Sequence, residues 1–469
     1  MTMIGICHYK IGDTDGVSLE MEKWKVALER LGHTVHLCGG DLGKTEGVLI
    51  EELYHHREDI ERINRNAFDR LTDYESEAAL KRDIFELADR IEQNLCSFID
   101  EFSLNLLIPN NIWSIGVNLP AAIAFARVVR KRRIPAVAHH HDFYWETFRG
   151  MTPTCAVVRR IAREYLPPKD PLVSHVVINS LVQAELRQRS GVESTIISNV
   201  FDFAGEAWGI DDYNRGFREA IGVNENDIVI LQATRIVERK GIELAIDLVE
   251  ELNKPSNNAK LREGRLYDGR RFTKDDRVVL VLAGYSEDGT EDYLSRLKRK
   301  IERAGIEARF IAGKVRSRRE ESNGERLYCL WDSYAFADLV TYPSLFEGWG
   351  NQFLEAIRAR LPIVLFEYPV YRGDVKQKGF HIISLGSDVR GRDDLSLVTV
   401  DEETMRSAAK QAINALTDRS AREKTTEHNF RLGERFYSLE SLEKSLQCIL
   451  SSLATNKTLQ QSGGIYDNK

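Results

Sequence analysis

The 469-residue chain has no cysteine pair at the spacing of a disulfide framework or a zinc site. Its six cysteines (7, 38, 96, 155, 329 and 448) are scattered without a Cys-x-x-Cys, the pattern of free, mostly buried thiols in a reducing compartment. No run of eighteen apolar residues exists, so nothing reads as a transmembrane helix. The start, Met1 to Cys7, lacks the charged stretch and long apolar run of a signal peptide. An excess of positive charge is missing too. The formal net charge of −7 argues against a nucleic-acid partner. The one basic patch, Arg127 to Arg133, reads as the solvated end of a helix. No amphipathic basic helix stands out for docking at a membrane, although peripheral contact stays open. The expectation from these absences is a cytoplasmic protein.

What is present is an alternation of short β-branched runs with helical patterns. A chain this long exceeds one ordinary core, and the alternation predicts an α/β protein with parallel, doubly wound sheets in two domains. Strands are expected at 4–9, 34–38, 105–108, 136–140, 175–178 and 195–197, with helices at 19–30, 119–132 and 181–188. Residues 46–100 carry apolar side chains at helical spacing and read as two or three helices inserted into the first domain. Regularity fails at 205–222. The alternation then resumes, with strands at 227–234, 278–283, 308–311, 339–342 and 363–366. Helices are expected at 242–252, 291–304, 325–336 and 352–359. Two charge-rich stretches, 254–276 and 316–325, read as surface insertions. The boundaries expected are a first domain at 1–215, completed by a helix at about 438–455, and a second at 216–437. A disordered tail is expected at 456–469.

Four places carry chemistry. In the segment Ser344 to Glu355, two glutamates stand with seven residues between them, and Gly348 and Gly350 follow the first. A strand-like run leads in and a helix-like run leads out. Backbone amides of a helix N-terminus are unpaired and can hold a phosphate. Glu347 and Glu355 can then reach hydroxyl groups on either side of it. A carboxylate has two acceptor oxygens for two neighbouring hydroxyls, which suits Glu355 to a ribose diol. The second place is Ala233 to Gly241, where Arg235 and Lys240 lie between a strand end and a helix. Fixed cations there suit a diphosphate whose charge grows as it leaves. The third is Val137 to Trp145, with His139, His140 and His141 where a strand runs out. Alternation along a strand points neighbours to opposite faces, and no further ligand set accompanies them, so no metal is assigned. One histidine at the strand end is expected to meet substrate. The fourth is Asp13 to Ser18, where Gly16 allows close backbone approach and Asp13-Thr14-Asp15 matches a metal-holding Asp-x-Asp only by composition.

Taken in order along the chain, these four places resemble the GT-B retaining glycosyltransferases, in particular glycosyltransferase family four. The long segment looks like that family's Glu-x7-Glu signature, Ala233–Gly241 like its Arg-x4-Lys stretch, and His139–Tyr144 like its strand-end histidine motif. The resemblance implies two Rossmann-like domains facing a cleft, with the C-terminal helix crossing back onto the first. It implies transfer of a sugar from a nucleotide donor, UDP-glucose or similar, to an acceptor hydroxyl with retained configuration and no metal or other cofactor.

Under it Arg235 and Lys240 would neutralise the diphosphate, and Glu347 would contact the donor sugar. Glu355 would hold the ribose, while Gly16, Gly348, Trp349, Gly350, Asn351 and Gln352 would approach the phosphates. His141 aligns with the active-site histidine, and His140 is the alternative. Asp142, Tyr144 and Trp145 are acceptor-side candidates for a soluble, sugar-like acceptor. Two departures are present: one glycine instead of a pair in the first loop, and Ser198-Asn199-Val200-Phe201 where Pro-Asn-Gly-Val is usual. A disaccharide phosphorylase on the same fold, or a silent sugar-nucleotide-binding subunit, are the alternative readings.

Overall fold

The computed structural model describes residues 1–12, 16–146, 150–322 and 324–463. The chain divides into two compact units, one made of Met1–Val200 with Leu439–Lys469 and the other of Phe201–Ser438.

The first unit is built on a seven-stranded parallel sheet. Its strands are β1 (Met3–His8), β2 (Thr34–Gly39), β3 (Val48–Leu49), β4 (Leu106–Pro109), β5 (Ala136–His140), β6 (Val173–Val177) and β7 (Ser194–Ile196), in the order β3-β2-β1-β4-β5-β6-β7. The strand order reverses between β1 and β4, and ligands of open α/β sheets bind beyond the carboxyl ends of the strands at such a reversal. The 46–100 region supplies two helices, Glu58–Phe68 and Glu77–Glu101. Ser76 caps the second by accepting from the Ala79 amide. Leu80, Ile84, Leu87, Ile91, Leu95 and Phe98 recur at helical spacing and enter the same core as the helix Leu119–Arg132. On the other face the helix Gly16–Arg30 buries Met21, Trp24 and Leu28 with Leu439, Leu442, Leu446 and Ile449 of the last helix. That last helix is Leu439–Gly463, so the chain is helical past residue 456, where the composition suggested a disordered tail. No proline or glycine interrupts it before Gly463.

The second unit has a six-stranded parallel sheet. Its strands are β8 (Ile228–Gln232), β9 (Val278–Leu282), β10 (Glu307–Phe310), β14 (Leu339–Tyr342), β15 (Ile363–Leu365) and β16 (Ile383–Ser384), in the order β10-β9-β8-β14-β15-β16. Here the order reverses between β8 and β14. The apolar runs of β8, β9, β14 and β15 are buried on both faces, as parallel strands covered by helices require, while the edge strand β10 is partly exposed.

Several expectations are corrected. Residues 325–336 are not one helix. Glu325–Cys329 (β13) is a strand between β11 (Val315–Arg316) and β12 (Glu320–Ser322), and only Leu330–Ala335 is helical. Pairing of Glu320 with Leu327 and Ser322 with Glu325 overrides the helical spacing. The stretch 254–276 is not wholly surface, since Leu261, Leu266 and Phe272 lie in the core of this unit. The irregular stretch 205–222 contains a short helix, Phe217–Ala220.

The units divide at Val200–Phe201, earlier than residue 215. Aromatic packing accounts for it. Phe201 lies 5.8 Å from Trp208, and Trp208 stacks on Trp331 at 4.3 Å. Tyr213 Oη donates to the Leu327 carbonyl at 2.8 Å. Among the described residues no helix is long and apolar enough to cross a membrane.

Candidate functional site

In the second unit, the loop after β8 and the loop after β14 come together at the reversal of strand order. Leu345 N–H donates to the Arg239 carbonyl at 2.8 Å, tying one loop to the other. Gly241 starts the helix Ile242–Asn253 in the left-handed region with φ +57°. A Cβ there would stand 2.5 Å from the Pro343 carbonyl, so this approach of the loops needs glycine.

The approach buries Lys240 and Glu347 together and sets the half-buried Arg239 beside them. Lys240 and Glu347 are 8% and 7% exposed. Lys240 Nζ is bonded to Glu347 Oε1, and Arg239 Nη1 donates to Glu347 Oε2 at 2.8 Å. Burial alone would raise the Glu347 carboxyl, but the charges of Lys240 and then Arg239 outweigh it and pull its pKa down to about 2. Lys240 behaves differently. Burial lowers its pKa first, Glu347 opposes that, and Arg239 and Arg235 add to the lowering. The divergence has a simple cause: the carboxylate faces two cations, whereas the ammonium faces one carboxylate and two arginines. The trio of Arg239, Lys240 and Glu347 therefore carries one net positive charge in a confined place, a setting that favours a further anion.

Glu347 sets a pH limit on stability. Its folded pKa lies below the ordinary carboxylate value of 4.5. The carboxylate thus contributes stability that is fully present above about pH 4.5 and is lost as pH falls through about 2. Acid titration of unfolding should show wild type losing more stability than Glu347→Gln across that window.

The other candidates of this unit lie around the same turn. Gly350 precedes the helix Asn351–Arg358 with φ +127°, and a Cβ on it would stand 2.2 Å from Tyr368 Oη. That hydroxyl donates to the Trp349 carbonyl at 2.7 Å. Gly348 lies between Glu347 and the buried Trp349, whose ring meets Tyr437 edge-on at 5.2 Å. Asn351 is the first residue of the helix, and Gln352 reaches back to the Thr341 carbonyl at 3.5 Å. Glu355 is half-buried, and Tyr334 Oη donates to its Oε2 at 2.7 Å. Arg235 does not pair with Glu347. It pairs with Glu287, and both side chains are partly exposed.

In the first unit His139 and His140 end β5, His141 follows it, and all three are buried. His139 Nδ1 lies 2.9 Å from Asn110 Oδ1, and its ring stacks on Trp24 at 4.1 Å. His175 Nε2 donates to the Pro168 carbonyl at 3.1 Å, so the neutral His175 ring accepts at Nδ1 from His140 Nε2, 3.0 Å away. Burial lowers the pKa of His139, His140 and His175. His140 is thus held within the protein's own hydrogen bonds. The His141 amide donates to Asn111 Oδ1 at 2.8 Å, placing this residue just past the strand.

Asp142 follows. The Tyr144 amide donates to the Ser114 carbonyl at 2.8 Å, and Trp145 stacks on Phe143 at 4.4 Å under the Arg189 guanidinium. The pair Tyr144–Trp145 is therefore at least partly packing. Gly16 is the exposed first residue of its helix. Asp13, Thr14 and Asp15 lie outside the described residues.

Sequence reasoning missed Arg239, Glu287, Tyr334 and Tyr368. Arg239 stands beside Lys240 in the motif, and that adjacency was its only signal. Tyr334 reaches the site from the helix Leu330–Ala335, and Glu287 and Tyr368 from the loops after β9 and β15.

Residues 214–429 match the family described as glycosyl transferases group 1. Two mannosylglucosylglycerate synthases are similar along nearly the whole chain. That of Petrotoga mobilis is 38% identical over 446 residues, covering 94% of this chain and 100% of that protein. That of Thermotoga maritima is 39% identical over 447 residues, covering 94% and 98%. Among solved structures, sucrose-phosphate synthase from Thermosynechococcus elongatus has a TM-score of 0.58 at 12% identity, over 97% of this chain and 100% of that one. Anabaena HepE in complex with UDP and glucose has a TM-score of 0.54 at 16% identity, over 96% and 100%. At such identities the likeness to these two is one of fold.

Proposed function

Since the chain belongs to the glycosyl transferases group 1 family and is a glycosyltransferase of GT-B fold, we propose that it moves a mannosyl group from a nucleotide donor to glucosylglycerate, with retained configuration. The trio of half-buried Arg239 with buried Lys240 and Glu347, with its net positive charge at the reversal of strand order, carries the nucleotide-donor part of this reading. The name of the two relatives supports the product, a mannosyl, glucosyl and glyceryl assembly, and favours a mannosyl over the UDP-glucose donor expected from the family's habit.

In this reaction the bond from the sugar's C1 to the diphosphate oxygen breaks, and a bond from C1 to an acceptor hydroxyl oxygen forms. The hydroxyl proton goes to the departing diphosphate, and a nucleoside diphosphate is released. Lys240 and Arg239, with Arg235 at the rim, neutralise the charge that grows on the leaving group. Glu347 holds those cations in place and lies where it meets the donor sugar. Amides from Gly348 to Gln352 meet the phosphates at the helix start, and Glu355, oriented by Tyr334, takes the ribose diol. His141 is the candidate for contact with the reacting sugar. Fixed cations do the work of a metal, so none is required.

The test is a donor and acceptor panel in the presence of a chelator. Mannose esters of GDP and UDP are compared with UDP-glucose, glucosylglycerate is the acceptor, and the product's anomeric configuration is read by NMR. Mannosyl transfer with retention is expected. Inversion, transfer of glucose alone, or cleavage of the product by inorganic phosphate in place of any transfer would each overturn the reading.

A further inference from the structure

Beyond the donor-side residues, the first unit carries a cluster that nothing above uses. His8 ends β1, and Tyr9 and Lys10 follow it. Tyr54, His55 and His56 follow β3 and the short turn Glu51–Leu53. All six therefore lie at or past the carboxyl ends of parallel strands, the side on which an open sheet of this kind takes its ligands.

The two segments are held against each other by backbone. The Gly40 amide donates to the Tyr9 carbonyl at 3.1 Å, and a Cβ on Gly40 would stand 1.9 Å from the Tyr54 nitrogen. Tyr9 and His55 rings meet across the gap at 5.8 Å, and within the second segment His55 meets His56 at 4.1 Å and Tyr54 at 5.7 Å. His8 is fixed by donating from Nδ1 to the Asn110 carbonyl at 2.9 Å.

The cluster mixes flat faces with positive charge. His55 Nδ1 is buried and has no hydrogen-bond partner among the described residues. Burial, and after it the charges of His56, His8 and Lys10, lower the His55 pKa to about 4, against a smaller opposing effect of Glu61, which pairs with His56. His8, His56 and Lys10 thus stand around an unpartnered ring nitrogen. Aromatic faces suit a pyranose, and a lysine beside an unpartnered imidazole nitrogen suits an anion attached to it.

We propose that this cluster binds the carboxylate end of a sugar-acid acceptor, with Lys10 as its counter-ion, His55 as a hydrogen-bonding partner, and Tyr54 along the sugar ring. The inference rests on the functional reading above, whose glyceryl group is a carboxylate, and it assigns that group a place in the first unit. It makes Lys10 and His55 specificity residues: they distinguish the acid from the neutral sugar of the same shape.

The experiment is calorimetric binding of glucosylglycerate and of its neutral counterpart, glucosylglycerol, to the whole protein, with GDP and UDP titrated in parallel. Wild type should bind the acid at least about tenfold more tightly. In Lys10→Met that preference should fall to about threefold or less, with nucleotide affinity unchanged. His55→Gln, at a separate strand end, should narrow the preference independently and decides the matter if Lys10→Met does not fold. Equal binding of acid and neutral sugar by wild type would overturn the proposal. So would a preference that survives both variants, or a loss of nucleotide affinity in place of acid affinity. Because binding is read without turnover, the site stands or falls separately from the donor assignment: a wrong donor abolishes transfer but leaves the acid preference.

Discussion

Replacing Lys240 by alanine lowers the turnover of sugar transfer by about 10²- to 10³-fold while the protein stays folded, an effect on the order of 3–4 kcal/mol in the barrier. The ammonium is buried and points at Glu347 from the loop that follows β8. In the proposed reaction a diphosphate leaving from that spot gains negative charge as its bond to the sugar breaks. A fixed cation there stabilises the transition state more than the ground state, so the loss falls on kcat and not only on KM. Arg239 still pairs with Glu347 in the variant, so the carboxylate keeps a partner and the fold survives. Single-turnover transfer together with a thermal melt checks both halves. Unchanged transfer by a folded Lys240→Ala protein would remove the main argument for the donor site.

Gly350→Ala should cost stability before it costs chemistry. The residue sits at φ +127°, and its Cβ would collide with Tyr368 Oη, a hydroxyl engaged on the Trp349 carbonyl. Neither group can give way cheaply, because Tyr368 is fully buried. Strain and overpacking together amount to about 3 kcal/mol. For a unit of this size that is roughly a 6–12 °C fall in the unfolding temperature. Gly264→Ala is the control: no atom lies within 4 Å of its Cβ, and its melt should stay within about 0.5 kcal/mol of wild type. Equal effects of the two substitutions would contradict the packing described here.

The strand–turn–helix that carries Glu347 and Glu355 was legible because each local signal agreed: an apolar run of strand length, two glycines, then helical spacing. The same agreement made β8 and the helix after Gly241 readable. Residues 325–329 were not, since their apolar spacing fits a helix and only pairing with Glu320–Ser322 makes them a strand. The helices Ala156–Tyr165, Glu402–Thr417 and Arg419–Tyr437 were also passed over.

In the site, the Lys240–Glu347 pairing joins residues more than a hundred positions apart, and only the reversal of strand order brings them together. Arg235 shows the opposite limit. It was singled out with Lys240 by spacing, yet its guanidinium is engaged by Glu287, a partner with no mark in the sequence. Arg239, which spacing did not select, is the arginine that reaches Glu347.

The last helix gives the chain an unusual order of completion. Met21, Trp24 and Leu28, near the start, share a core with Leu442, Leu446 and Ile449, near the end, and the whole of Phe201–Ser438 is made between them. During synthesis the second unit is contiguous and can close on itself as it emerges. The first must wait, with an apolar helix face uncovered, for its own carboxyl terminus. At about 5–20 residues per second that wait is on the order of ten to fifty seconds. The unit translated first is therefore the unit finished last, and a ribosome that stalls beyond residue 438 leaves a nascent protein with one folded half and one sticky one.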